Sequence, residues 1–410
     1  MTLTTEEATK KSFEAGHVFT PGAPINEKQL FAGRLIQVNS ILDAVSQRGY
    51  HAVLFGERGV GKTSLSNVLS EFLGTPASFI TSRTNCDASD TFSSLWKKGL
   101  QDIVISQRKP GVGFTGEDTT AASSIASMMP DNVTPDAVRR LLTDLARSAT
   151  LVIIFDEFDR IEDMSVKTAM ADTIKSLSDY SVDATILIIG VADSVDDLIK
   201  EHQSIERALI QIPMPRMSDD EIKEIVTRGA SRLAVTFDNS AVDEIASLSQ
   251  GLPYIAHLLS LQACRQSFGR LSELVSSHDV EQGIEKSLDQ WQQSIKSAYY
   301  EATKSPQPGH IYKEVLLACA LAEVDDLRYF TAASVRKPLR IITGKNYDIP
   351  NFARHLKELS DEGRGGILQR VGEKRKIRYR FGSPMLRPYI IMRGFKDRII
   401  TKSMLHKIVD

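Results

Sequence analysis

The eight residues from Gly56 to Thr63, GERGVGKT, set two glycines, a lysine and a hydroxyl at the spacing that phosphate chemistry uses. Glycine tolerates the backbone angles that turn consecutive N–H groups inward, so the loop Gly56, Glu57, Arg58, Gly59, Val60 and Gly61 can wrap a polyphosphate. Lys62 would reach the terminal phosphates and Thr63 would offer its hydroxyl to magnesium. Ser64 and the helix behind would add a positive dipole end. A second group stands in TLVIIFDEFD, Thr150 to Asp159, where an apolar run delivers Asp156 and Glu157 side by side. Asp156 at the end of a buried strand would hold Mg2+, mostly through water, and Glu157 could orient and deprotonate an attacking water. That pairing favours hydrolysis over binding alone, and the competing reading of DEFD is a solvated acidic turn.

Those residues need a scaffold, and the chain supplies one. Its 410 residues are 42% apolar and 25% charged, which suits two or three globular domains. Short apolar runs, HAVLFG (His51–Gly56), ASFIT (Ala77–Thr81), TLVIIFDEFD and ATILIIGVAD (Ala184–Asp193), alternate with helical patterns such as TSLSNVLSEFL and TPDAVRRLLTDLAR. Runs nearly continuous in Val, Ile, Leu and Phe are strands buried on both faces, so the fold class is α/β with a doubly wound parallel sheet. Arg108 to Val133, rich in Gly, Ser, Thr and Ala, reads as a surface loop or partly disordered insertion. From about Met217 helices take over, including one pattern running from SHDVEQGIEKSLDQ into WQQSIKSAYYEATK. SPQPGH, Ser305 to His310, is a linker into a last unit.

No apolar run approaches the roughly 18 residues of a membrane span, and the opening MTLTTEEATKKSFEAGH lacks the apolar core of a secretory signal. Cys86, Cys264 and Cys319 lie too far apart for a disulfide framework or zinc spacing, which points to reducing cytosol and no membrane partner. The formal net charge of -2 hides an asymmetry. Residues 301–410 carry 22 Lys+Arg against 12 Asp+Glu, leaving 28 against 40 in the rest. Such a unit suits a polyanion partner, and a basic face docked on the acidic body is the other reading.

Taken together, these residues resemble the AAA+ ATPases, and within them the replication initiators of the origin-recognition type and the related STAND ATPases. The resemblance implies ATP or ADP with Mg2+ as ligands, and a doubly wound domain followed by a helical lid and a winged helix. LFAGRLIQVNSILDAV is similar to the adenine-side motif, with Gly33 and Arg34 at its turn. RTNCDASDTF resembles the initiators' segment after the second strand, making Asn85 a candidate polar switch that contacts the catalytic glutamate. LIIGVADS ends the first-sensor strand, where the family has Asn, Ser or Thr and this chain has Asp193 beside Ser194. SIERALIQIPMPRMSDDEIKEIVTRGA matches the family's S-x-x-R pattern and puts Arg207 where an arginine finger would act across a subunit boundary, which implies a homo-oligomer. A surface ion pair is its bland alternative. GLPYIAHLL lacks the usual lid arginine and instead resembles the STAND G-x-P, with Pro253 near the adenine. His257 is either a substitute phosphate contact or a packed helical histidine.

In the last unit, three helical patterns precede a strand, a charged turn and a strand, the order of a winged helix. Asn351 to Glu362 would be the recognition helix, with Arg354, His355 and Lys357 available, and EKRK would be the wing tip. IRYRF sets Arg378 and Arg380 on one face and Tyr379 and Phe381 on the other. Double-stranded DNA and a protein partner both remain open for this surface. The expected division is an N-terminal extension over 1–27, a nucleotide-binding domain over 28–215, a lid over 216–304 and a winged helix over 305–410. Two functions follow from different classes: a slow ATPase controlling assembly, and a signalling switch that exchanges ADP for ATP.

Overall fold

The computed structural model describes residues 2–73, 79–109, 119–199, 205–305, 309–372 and 376–409. The chain forms two compact units, Pro24–Arg216 and a second built from Met1–Ala23 with Met217–Asp410.

The first unit is organised by a parallel sheet. Its strands are β1 (His51–Gly56), β2 (Phe79–Asn85), β5 (Thr150–Asp156), β6 (Ala184–Val191) and β7 (Leu209–Pro213), in the order β2-β5-β6-β1-β7. All four pairings are parallel. The interior strands β1, β5 and β6 are buried almost end to end, as their unbroken apolar runs require, while edge strands β2 and β7 are only partly covered. Alternate residues Val53, Ile153, Phe155, Ile186 and Ile188 join Trp96, Leu142, Met170 and Ile174 in one core. Trp96 meets Phe155 edge-on at 5.1 Å between centroids. Helices Leu35–Ser46 and Lys62–Phe72 also approach β1 and β6.

Between β2 and β5 the structure departs from the expected loop. Val104–Lys109 (β3) and Thr119–Ser124 (β4) pair antiparallel over six residues each, followed by a short turn of helix at Ile125–Met128. Residues 110–118 lie outside the described residues. A two-stranded ribbon satisfies its backbone across the pair without needing an apolar face, so the hydrophobic alternation that reveals a strand is missing from its sequence.

The second unit is mostly helical, with a two-residue parallel contact between β8 (Thr236–Phe237) and β9 (Leu274–Val275) ahead of a C-terminal hairpin. The N-terminal segment belongs here: the helix Thr5–Val18, closed by a Thr4–Glu7 capping box, packs on helices Asp219–Leu233 and Pro253–Gly269. Phe19 behind it is fully buried, and a Cβ on Gly229 would lie 2.3 Å from its ring. Pro253–Gly269 is buried on nearly every side, His257 included, as expected of a central helix. The long helical pattern expected after Ser276 breaks into Ser277–Asp289 and Gln293–Thr303, because Trp291 turns inward against Tyr254 and Tyr389.

Helices Tyr312–Ala320, Ala332–Thr343 and Ile349–Leu359 precede an antiparallel hairpin of β10 (Leu368–Val371) and β11 (Arg378–Phe381). Tyr379 is buried and stacks on Phe330, while Arg378 and Arg380 flank the Tyr329 ring. In the tip, Glu373, Lys374 and Arg375 lie outside the described residues, and Lys376 is exposed. His355, expected to be available, packs instead against Tyr312, since it lies toward the buried face of an amphipathic helix. Part of the unit's positive charge is turned inward: Lys396 binds Glu285, and Lys402 binds Glu244 and Glu281.

Burial holds His257 largely neutral, with its pKa lowered to about 4, and its ring meets Phe19 edge-on. Between that value and the ordinary 6.5 the unfolded chain binds a proton that the folded one refuses, so this contribution to stability is lost as pH falls through the window. Replacing His257 with Leu should remove up to about 3 kcal/mol of acid sensitivity, at roughly 1.4 kcal/mol per pKa unit. Urea midpoints of both proteins from pH 7.5 to 4.5 check this, and parallel losses would show that other groups carry the acid response.

Candidate nucleotide-binding site

The phosphate loop leaves β1 beside the end of β7. The Met214 N–H donates to the Phe55 carbonyl at 2.7 Å, and a Cβ on Gly56 would lie 2.4 Å from the Met214 carbonyl oxygen. Gly56 is therefore fixed by the sheet, while Gly59 and Gly61 take left-handed φ of 86° and 99° that ordinary side chains resist. Val60 between them is fully buried and anchors the loop. Arg34, itself buried and left-handed at φ 63°, donates from Nη2 to the Val60 carbonyl at 2.9 Å. The Glu57 carboxylate accepts Nε and Nη2 of Arg216 at 3.1 and 2.9 Å. Ser64 Oγ accepts the Ile25 N–H, so its hydroxyl ties the incoming chain to the helix.

Lys62 is buried and donates from Nζ to the carbonyls of Gly56 and Glu57, at 2.9 and 2.8 Å. Burial lowers its pKa to about 8, against the opposing pull of Asp159, Asp156 and Glu57. An ammonium held by its own loop's carbonyls is one that phosphate oxygens can claim.

The acidic end lies two strands away, across β6. Asp156 is buried, and its oxygens are both engaged: Oδ1 accepts the Glu157 N–H at 2.9 Å and Oδ2 accepts Arg83 Nη2 at 2.8 Å. The same Nη2 reaches Asn85 Oδ1 at 3.1 Å, and Asn85 is the register partner of Asp156. Glu157 adopts a left-handed φ of 57°, a cost accepted by few side chains, and its exposed carboxylate accepts Arg160 Nη1 at 3.0 Å. Asn85 thus bonds Arg83, and no hydrogen bond among the described residues joins it to Glu157. Asp159 accepts the Val191 N–H at 2.8 Å and so ties the end of β6 to the turn after β5.

The remaining candidates are spread out. Gly33 (φ 62°) precedes Arg34, Asp193 is exposed in the bend after β6, and Ser194 caps a short turn through Asp197. Arg58 is exposed on the loop and Thr63 is partly covered at the helix start. Arg207 is exposed between buried Ile205 and Ala208, with no ion pair to a described residue. Pro253 belongs to the other unit, where it opens its helix. There Gly251 (φ 72°) accepts the Met217 N–H at 2.9 Å. His257, buried against Phe19, is a core histidine.

Sequence reasoning missed Arg83, Arg160 and Arg216. A charge inside a strand, SRTN, was the one visible signal for Arg83. The donors present fit the expected ligands: left-handed glycines and a buried ammonium suit phosphate, and the Thr63 hydroxyl with the Asp156 carboxylate are the hard oxygen ligands that magnesium takes.

A family profile described as AAA ATPase domain matches residues 31–189. No curated protein matches the chain. Among solved structures, the ORC2 protein of Aeropyrum pernix in its ADPNP–ADP complexes is 14% identical, with a TM-score of 0.52 over 96% of this chain and 97% of that one. A Walker-type ATPase of Pyrococcus abyssi is 15% identical, with a TM-score of 0.52 over 91% and 99%. At these identities the likeness is one of fold.

Alanine at Gly56 should destabilise the protein by about 1–3 kcal/mol through overpacking against Met214. Alanine at Gly22, where a Cβ meets nothing within 4 Å, should change little. Denaturant unfolding of both variants checks the contrast.

Proposed function

Proceeding from an AAA ATPase domain over residues 31–189, we propose that this chain binds ATP with Mg2+, hydrolyses it slowly, and uses its nucleotide state to control self-assembly and the contacts of its C-terminal unit. The supporting observation is the burial of Lys62, just after β1, and of Asp156, at the end of β5, on the same edge of the sheet with β6 between them. In this reading Lys62 and the N–H groups from Glu57 to Ser64 bind the phosphates, and Gly33 and Arg34 lie on the adenine side. Thr63 and Asp156 hold Mg2+, which neutralises charge at the terminal phosphate. Glu157 is the base that takes a proton from the attacking water, with Asn85 as its polar switch, and Asp193 stands at the first-sensor position. The exposed guanidinium of Arg207 would complete the site of a neighbouring copy in a homo-oligomer.

The proposed division is 1–27, 28–215, 216–304 and 305–410, the last a winged helix supported by its three helices and antiparallel hairpin. Among the described residues no helix is long and apolar enough to cross a membrane, and cytosol is the proposed location. Glu157→Gln should keep ATP affinity within about twofold and lose turnover by about a hundredfold or more, the contribution typical of a general base. Phosphate release equal to wild type would sink the hydrolysis claim.

A second reading, a switch holding ADP until a partner arrives, is favoured by the Met217–Gly251 hydrogen bond, which fastens the start of the second unit's main segment to the Gly-Leu-Pro turn. Purified protein carrying ADP at near full occupancy would favour it. For the C-terminal unit, double-stranded DNA is supported by the exposed Arg354, Lys357 and Lys376. A protein partner is supported by cations already engaged within the unit, Arg354 with Glu358 and Arg378 with Asp325. Neutralising Lys374, Arg375 and Lys376 should flatten the salt dependence of DNA affinity by about one unit of slope per lost phosphate contact. Unchanged DNA binding would favour the protein partner.

A further inference from the structure

We infer that Arg83 is the resident counter-cation of Asp156 and gates the metal position, giving the carboxylate up when magnesium loads. The inference rests on the reading of Asp156 as the carboxylate that holds the metal. A buried carboxylate needs a compensating charge, and the guanidinium of Arg83 supplies it at 2.8 Å from the neighbouring strand. With Oδ1 taken by the Glu157 N–H and Oδ2 by Arg83, the carboxylate presents a divalent ion with a site already neutralised and already bonded.

The pairing is also poised to break. Arg83 Nε is buried and has no hydrogen-bond partner among the described residues, so the guanidinium is only partly satisfied where it rests. Its side chain remains about a quarter exposed (28%), so it can swing outward without unpacking the core. One nitrogen, Nη2, holds both Asp156 Oδ2 and Asn85 Oδ1. Release of Arg83 therefore frees Asn85 in the same step, and metal loading becomes linked to the mobility of the candidate switch residue.

The test is a magnesium titration of the full chain bound to a fluorescent ATP analogue, starting in EDTA. Removing the competing charge-assisted bond in Arg83→Gln should lower the half-saturating magnesium about tenfold, the size expected for a hydrogen bond to a charged group. Arg83→Lys, which keeps the charge and loses the shared Nη2, should fall between. Lys98→Gln removes an equal charge near the end of β2, where Lys98 pairs with Asp87 and Asp90, and should leave the midpoint in place. Metal-free affinity should be the same in all four proteins.

A midpoint for Arg83→Gln within twofold of wild type, or an equal shift in Lys98→Gln, overturns the inference. Should Arg83→Gln fail to show a cooperative melt, the comparison of wild type with Arg83→Lys decides, an unshifted midpoint counting against. Analogue binding that ignores magnesium in every protein would instead overturn the reading of Asp156, and the gate with it. Failure to bind in any condition would remove the nucleotide reading itself.

Discussion

Two opposite charges buried at the C-terminal edge of a parallel sheet set the terms for everything around them. An ammonium and a carboxylate taken from water cost several kcal/mol each unless hydrogen bonds and counter-charges replace the lost hydration. Lys62 recovers part of this from its own loop's carbonyls, and Asp156 from Arg83 and the Glu157 N–H. Each replacement then needs an exact backbone, which is why the loop is held by β7 at Met214, by Arg34 at Val60 and by Arg216 at Glu57. The hydrophobic core supplies the rigidity, since Phe155 packs immediately before Asp156 and Val53 packs within the strand that leads into the phosphate loop.

What was legible in the sequence follows from which interactions are local. Strands β1, β5 and β6 announce themselves because an interior parallel strand is apolar on both faces. The phosphate loop does too, because its chemistry lies within eight consecutive residues. The hairpin of β3 with β4 stayed hidden, having no apolar alternation to betray it. The membership of helix Thr5–Val18 was equally hidden, because it depends on Phe19 meeting Gly229, a glycine far along the chain that gives no local sign of its purpose. Trp291 broke a continuous helical pattern for a reason that lies in Tyr254 and Tyr389.

The site divides the same way. Gly56, Lys62 and Asp156 could be named from spacing, whereas Arg83 and Arg216 could not, because each guanidinium reaches a carboxylate far away in the sequence, and Arg160 pairs with Glu157 only through the turn that follows β5. Arg83 meets Asp156 only because β2 lies beside β5 with Asn85 opposite Asp156, a fact of sheet order that no window of residues contains. The left-handed backbone at Glu157 is of the same kind: the sequence gives a glutamate, and only the fold decides that its carboxylate turns toward Arg160.

In this structure four of the side chains proposed to act on nucleotide are engaged elsewhere. Lys62 rests on its loop, Asp156 and Asn85 on Arg83, and Glu157 on Arg160. Assembling a hydrolytic site from this arrangement means exchanging one charge-assisted bond for another at several points, and such exchanges nearly cancel in free energy because the bonds are of similar strength. Population then depends on small differences, so a modest interaction from nucleotide, metal or a neighbouring copy can decide which set forms. On the proposed reading slow turnover needs no missing lid arginine to explain it. On that reading it follows from Arg83 and Arg160, arginines that sequence inspection passes over, whose guanidinium groups bond the carboxylates that catalysis would use.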